Sequence, residues 1–112
     1  IGTSHGAYKG KGRPFIDHER IKNIARTVPN PLVMHGASGV PAAVIERLNK
    51  AGAKIADAIG IHEDDVRKAV AQGIAKINTD TDLRLGFTAA VREILLEKPM
   101  EFDPRKILGL AK

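Results

Sequence analysis

Short apolar runs alternate with amphipathic stretches along the chain. Residues 32–34 and 74–77 are brief and mostly apolar, and proline or glycine borders each of them, which is typical of buried parallel strands. The opening residues, IGTSHG, also fit the end of a strand. Because a helical pattern follows each run, the sequence predicts three strand–helix units in series and therefore a parallel α/β architecture.

The polar and apolar spacing also predicts where the first helices lie. Asp17 is placed to cap a helix that Pro29 ends. Pro41 suits the first turn of a helix, and Gly52 and Gly60 divide the region after it into two expected helical pieces.

The second half of the chain predicts two further helices. Asp64 or Asp65 starts a short helix that Gly73 ends. Apolar residues four apart then predict an amphipathic helix that runs to about Lys98. We expect residues 101–112 to be irregular or to form a short helix.

Composition indicates one small globular domain. The chain has 112 residues, of which 43% are hydrophobic and 28% are charged. No apolar run approaches the ~20 residues of a membrane helix, and no signal peptide is visible, so we expect a cytoplasmic chain without a membrane partner. The absence of cysteine excludes disulfides and thiolate metal sites. The start at Ile1, without an initiator Met, suggests a chain that begins mid-protein.

The formal net charge of +5 allows two interpretations. A nucleic-acid surface is one of them, but one Tyr, three Phe and no Trp leave few side chains for base stacking. Positive charge near a site for anionic small molecules explains the net charge equally well. We therefore expect no nucleic-acid partner.

Polar and small residues follow each predicted strand, where parallel α/β folds bind their ligands. His5 and His35 hold equivalent positions, each before a glycine, and two such imidazoles can share a metal, usually zinc. A hydrogen-bonded structural pair remains the alternative, since a zinc site needs three or four ligands. His18 and His62 are expected to be solvated.

The glycines at positions 6, 36 and 39 allow backbone N–H groups to approach an anion, and Ser38 adds a hydroxyl donor. Asp80 and Thr81 begin a helix, where free N–H groups favour phosphate, and the alternative is that both are ordinary caps. Asn78 suits a polar ligand at the strand end. Arg105 could pair with phosphate or lie on the surface.

Four motifs in order, GTSHGAYKG, LVMHGASGVP, GIAKINTDTDLR and EFDPRK, together resemble the class II, metal-dependent fructose-1,6-bisphosphate aldolases, in the bacterial and often thermophilic branch. The resemblance implies a (β/α)8 TIM barrel, of which residues 1–112 would be a C-terminal segment of one domain with about the last three strand–helix units. It also implies glycolytic chemistry, the reversible cleavage of fructose 1,6-bisphosphate to dihydroxyacetone phosphate and glyceraldehyde 3-phosphate.

The resemblance further implies roles for particular residues. His5 and His35 match zinc ligands of the family, in which the metal polarises the ketone as a Lewis acid. Asn78 matches a catalytic asparagine that contacts the substrate near the reacting carbons. The positions that match phosphate-binding residues are Gly6, Gly36, Ser38, Asp80 and Thr81. Arg105 matches an arginine for the second phosphate, often reached across a dimer interface.

A monovalent cation (Na⁺, K⁺ or NH₄⁺) is also implied near Gly6, Gly36 and Ser38, through backbone oxygens. The family's third zinc histidine and its proton-transfer aspartate are not in this chain. The implied partners are therefore a phosphorylated sugar, the remainder of the barrel and further copies in a dimer or tetramer. Two alternatives stay open, a tagatose 1,6-bisphosphate aldolase and a non-catalytic fragment that retains phosphate-binding loops.

Overall fold

The computed structural model describes residues 1–7, 12 and 14–111. The end of the GTSHGAYKG motif, residues 8–10, lies outside these ranges. Within them the elements follow in the order α1 (His18–Thr27), β1 (Leu32–Met34), α2 (Ala42–Lys50), α3 (Glu63–Ala71), β2 (Ile74–Ile77), α4 (Thr81–Glu97) and α5 (Pro104–Gly109). None of these helices is long and apolar enough to cross a membrane.

The two described strands pair in parallel, which confirms the predicted α/β content. Leu32 lies opposite Ile74, and Met34 lies opposite Ile77, with one irregularity in the register between Leu32 and Val33. A hydrogen bond of 2.9 Å from the Asn78 N–H to the Met34 carbonyl extends the pairing one residue beyond β2. The carboxyl ends of both strands therefore meet at one edge.

The third predicted strand, at residues 1–6, does not form in this structure. Gly2 has a φ of +99° and Gly6 a φ of +93°, and both values interrupt the extended backbone that a strand requires. The segment still packs beside β1: a Cβ on Gly36 would lie 2.6 Å from the Ser4 carbonyl. The prediction of three strand–helix units was therefore wrong for the described residues, although the segment occupies the expected place.

The first helix begins as predicted, but the region after α2 does not. Asp17 Oδ1 accepts a 2.9 Å hydrogen bond from the Arg20 N–H, which caps α1. Between Pro41 and Gly60 only one helix, α2, forms. The second expected helical piece is irregular because the Asn49 side chain bonds both the N–H and the carbonyl of Ile55 and turns the chain away.

The third helix begins earlier than predicted. His62 is the N-cap of α3, with its Nδ1 accepting from the Asp64 N–H at 3.3 Å, so Asp64 and Asp65 lie inside the helix. His62 is exposed, as expected. His18 is not solvated: its Nδ1 lies 2.8 Å from Gln72 Oε1 and its Nε2 3.4 Å from Asp65 Oδ1, which links α1 to α3.

The last two helices confirm their predicted bounds. Helix α4 ends at Glu97, and α5 shows that the final stretch forms a short helix. The predicted apolar face of α4 is only partly covered, since Leu83 is 70% exposed and Phe87 46%. The buried residues of α4 are Ala89 and Ile94.

The core lies between the sheet and the helices. Ile21 of α1, Met34 of β1 and Leu48 of α2 are the largest fully buried side chains. An ion pair of 2.6 Å between Arg47 and Glu93 also links α2 to α4. This packing holds the two strands, and therefore the loops that follow them, in fixed positions.

Leu48→Ala should lower the free energy of unfolding by about 2–5 kcal/mol, because it removes buried methyl groups and leaves a cavity. Leu96→Ala is the matched control on an exposed helical position and should change it by less than ~0.5 kcal/mol. Urea unfolding followed by circular dichroism measures both. An equal loss in the two variants would show that Leu96 is covered in solution.

Candidate functional site

A cavity of 410 Å³ lies at the carboxyl ends of β1 and β2. Its walls come from the loop after each strand, from the segment at residues 5–6 and from the first turn of α4. The residues that line it are His5, Gly6, His35, Gly36, Ser38, Asn78, Asp80, Thr81 and Arg84. The structure thus brings together every site residue predicted from the sequence except Gly39, whose N–H donates to Asp82, and Arg105.

Two histidines face each other in this cavity. The ring centroids of His5 and His35 are 6.0 Å apart, with an angle of 54° between the ring planes. Asn78 Nδ2 lies 3.2 Å from His35 Nδ1, although the two residues are 43 positions apart in sequence. The amide nitrogen donates and the ring nitrogen accepts, so this contact orients the His35 ring.

The histidine pair matches zinc in donor chemistry but supplies only part of a site. Neutral imidazole nitrogens are common zinc ligands, and the two rings are close. The residues that the structure describes contain no group of three or more His, Cys, Asp or Glu that could hold a metal. The pair therefore fits half of a four-ligand site.

Ser38 joins the two loops through its side chain. The residue is 4% exposed, and its Oγ accepts hydrogen bonds from the N–H groups of Asp80 (3.3 Å) and Thr81 (3.2 Å). The Asp80 side chain makes no cap bond, so the hydroxyl of Ser38 supplies the acceptor that the start of α4 needs. A hydroxyl that accepts two bonds still has its proton to donate to a ligand.

Small residues allow the loop after β1 to pack this closely. Gly36 has a φ of +63°, and Ser4 lies against it. A Cβ on Gly60 would lie 2.1 Å from the Gly39 carbonyl, so the chain near residue 60 can pass only without a side chain. The Ile61 N–H donates to the Ser38 carbonyl at 3.0 Å.

Arg84 is a site residue that the sequence reasoning missed. Its Nη2 lies 2.9 Å from Asp80 Oδ2 and its Nε 3.1 Å from Asp80 Oδ1. It lines both the main cavity and a neighbouring one of 480 Å³. The signal was available: an acidic residue four positions before an arginine at the start of a helix predicts this pair. The pair places a guanidinium and a carboxylate together at the cavity wall.

Arg105 lies away from the cavity. Its side chain is 88% exposed and bonds Asp103, the N-cap of α5. The Arg105 guanidinium holds the pKa of the Asp103 carboxyl below its usual range. Within this chain Arg105 is a surface residue, and a role across an interface stays a prediction.

The geometry defines a class of site: paired imidazoles beside a loop of small residues, at the carboxyl ends of parallel strands in an α/β fold. Residues 1–112 match the sequence profile of the family described as fructose-bisphosphate aldolase class-II. The chain therefore belongs to that family, which confirms the resemblance seen in its four motifs.

Curated relatives agree with this assignment. The chain is 66% identical to the fructose-bisphosphate aldolase of Thermus caldophilus over 112 residues, which is 100% of this chain and 37% of that protein. It is 45% identical over 111 residues to the fructose-bisphosphate aldolase of Giardia intestinalis, covering 97% of this chain and 34% of that protein. The chain thus spans about a third of the length of these relatives.

Ser38→Ala should lower the free energy of unfolding by about 1–3 kcal/mol, since it leaves two N–H groups at the start of α4 without their acceptor. Thr79→Ala removes an exposed hydroxyl from the same loop region and should cost less than ~0.5 kcal/mol. Chemical unfolding of both variants tests this. Equal stability of Ser38→Ala and the unsubstituted protein would mean that another acceptor replaces the hydroxyl.

Proposed function

We propose that residues 1–112 are the C-terminal segment of a single-domain (β/α)8 barrel enzyme. This enzyme cleaves fructose 1,6-bisphosphate reversibly to dihydroxyacetone phosphate and glyceraldehyde 3-phosphate. The observation that carries the proposal is the cavity in which two imidazoles and an anion-binding loop meet. Membership of the class-II family and the names of its relatives support the same reaction.

The loop after β1 and the start of α4 hold the phosphate of the three-carbon ketone. Ser38 donates its hydroxyl proton to this phosphate, and Gly6 and Gly36 allow the backbone to approach it. Asp80 and Thr81 act here through Ser38, to which their N–H groups are bonded. Arg84 is a further N–H donor at the cavity wall, where its guanidinium pairs with the Asp80 carboxylate.

His5 and His35 would hold a zinc ion or another divalent metal. Such an ion supplies Lewis-acid polarisation of the substrate carbonyl when bound. Asn78 keeps the His35 ring in place through the 3.2 Å contact and lies within the cavity, where its amide can contact the substrate near the reacting carbons. Backbone oxygens near Gly6, Gly36 and Ser38 would hold a monovalent cation.

The rest of the barrel supplies what this segment lacks, the third metal ligand and the proton-transfer carboxylate. Two observations support such a partner. The two-stranded sheet has open edges, and large apolar side chains such as Leu83 (70%) and Phe102 (89%) are exposed. Arg105 would reach the second phosphate of a neighbouring copy in a dimer or tetramer.

His35→Ala in the complete enzyme should remove the bound zinc and abolish cleavage of fructose 1,6-bisphosphate, because it takes away a direct metal ligand. His62→Ala is the matched control, as that histidine is exposed and caps α3. Zinc content and turnover are measured on the same preparations. Near-normal zinc and activity in His35→Ala would exclude the ligand role, and turnover by residues 1–112 alone would contradict the need for the rest of the barrel.

The substrate should be the fructose rather than the tagatose bisphosphate, as the names of the relatives indicate. The two sugars differ in stereochemistry at one carbon, and kcat/KM for each distinguishes them. A higher kcat/KM for tagatose 1,6-bisphosphate would overturn the substrate assignment but not the reaction class.

A further inference from the structure

Asp82 contacts the loop after β1 from outside the cavity. Its carboxylate accepts two hydrogen bonds from successive backbone groups, the Gly39 N–H at 2.8 Å and the Val40 N–H at 2.7 Å. The residue is absent from the cavity wall. It therefore acts on a bound ligand only through the loop that it holds.

The loop needs such a restraint because one of its residues is strained. Val40 has a φ of +49° and is 5% exposed. A β-branched side chain disfavours this left-handed conformation, and Pro41 after it restricts the backbone further. Strained conformations of this kind persist only where the surroundings hold them.

Residues 38–40 and residues 80–82 each accept hydrogen bonds from the backbone of the other segment. Ser38 Oγ accepts the N–H groups of Asp80 and Thr81, and the Asp82 carboxylate accepts those of Gly39 and Val40. We call these four hydrogen bonds, between residues 38–40 and 80–82, the reciprocal clasp. The reciprocal clasp restrains Ser38 through its own side chain and through the two residues that follow it.

We propose that Asp82 is a positioning residue that sets the affinity for the substrate phosphate. This proposal rests on the proposed function, since it takes Ser38 as a phosphate ligand. Binding groups must be held within about 0.5 Å of their productive positions, and the reciprocal clasp provides that restraint for Ser38. Without the carboxylate, residues 39–40 relax from the strained geometry and Ser38 moves with them.

A simpler explanation is that Asp82 only stabilises α4, since a negative charge in the first turn of a helix is favourable. Asp64 separates the two explanations. It holds the same position in α3, two residues after the N-cap, and its carboxylate lies 3.4 Å from the His62 ring rather than against a loop of the cavity. Asp64→Asn therefore removes a comparable charge without touching the reciprocal clasp.

The experiment compares Asp82→Asn, Asp82→Glu and Asp64→Asn in the complete enzyme. Asp82→Asn keeps the shape of the side chain but replaces one of its two acceptor oxygens with an NH2 group. Asp82→Glu keeps the negative charge but makes the side chain one methylene longer. Calorimetric titration with inorganic phosphate gives its Kd. Steady-state kinetics give KM and kcat for fructose 1,6-bisphosphate, and circular dichroism and zinc content check the integrity of each variant.

We expect both Asp82 variants to raise the Kd of phosphate and the KM by about tenfold or more, as loss of one charged-group hydrogen bond predicts. The kcat and zinc content should stay within about threefold, and Asp64→Asn should match the unsubstituted enzyme within about twofold. A phosphate Kd within about twofold of normal in a folded Asp82→Asn would overturn the proposal. So would an equal loss in Asp64→Asn.

Two further outcomes are covered by the design. If Asp82→Asn does not fold, Asp82→Glu decides, because it retains the favourable charge at the start of α4. If the unsubstituted enzyme binds phosphate but does not cleave the sugar, the proposed function fails, whereas the phosphate titrations still support or overturn the role of Asp82.

Discussion

The parallel pairing of β1 with β2 is the constraint on which the site depends. Two parallel strands place their carboxyl ends at the same edge, so the loops after Met34 and Ile77 are adjacent although 43 residues separate His35 from Asn78. The bond from the Asn78 N–H to the Met34 carbonyl continues the ladder to the point where the cavity begins. Every polar residue of the site is positioned relative to this edge.

Close approach of backbones then explains why small residues follow His35. Ser4 packs against Gly36, and the chain at Gly60 passes within van der Waals contact of Gly39. Any side chain at these glycines would push the loop away from α4 and separate Ser38 from the N–H groups that it accepts. The small residues are therefore a requirement of the hydrogen bonds between the loops as well as of a ligand.

The sequence predicted strands β1 and β2 and the residues that meet at their carboxyl ends. It did not predict the hydrogen bonds that join the two loops. Residues that follow an apolar run are recognisable locally, which is why His5, His35 and Asn78 could be named in advance. The bonds of Asp82 and Ser38 join residues 42 and 43 positions apart, and no local spacing reveals them.

The irregular regions were missed for a related physical reason. The second expected helical piece after Pro41 is replaced by a turn that the Asn49 side chain holds, and side-chain competition of this kind is invisible to hydrophobic periodicity. The strand expected at residues 1–6 is interrupted by two glycines with positive φ. In both cases one or two polar or flexible residues override a correct apolar pattern.

Helix α4 leaves part of its apolar surface uncovered. Ala89 and Ile94 are buried, whereas Leu83 and Phe87 of the predicted apolar face remain exposed. A helix that is apolar on more than the side it buries needs a second packing partner. Under the proposed function the site has the same character, since two imidazoles face the cavity and a zinc site takes three or four ligands. The remainder of the proposed barrel, packed against this segment, would then complete both the hydrophobic burial and the proposed metal coordination.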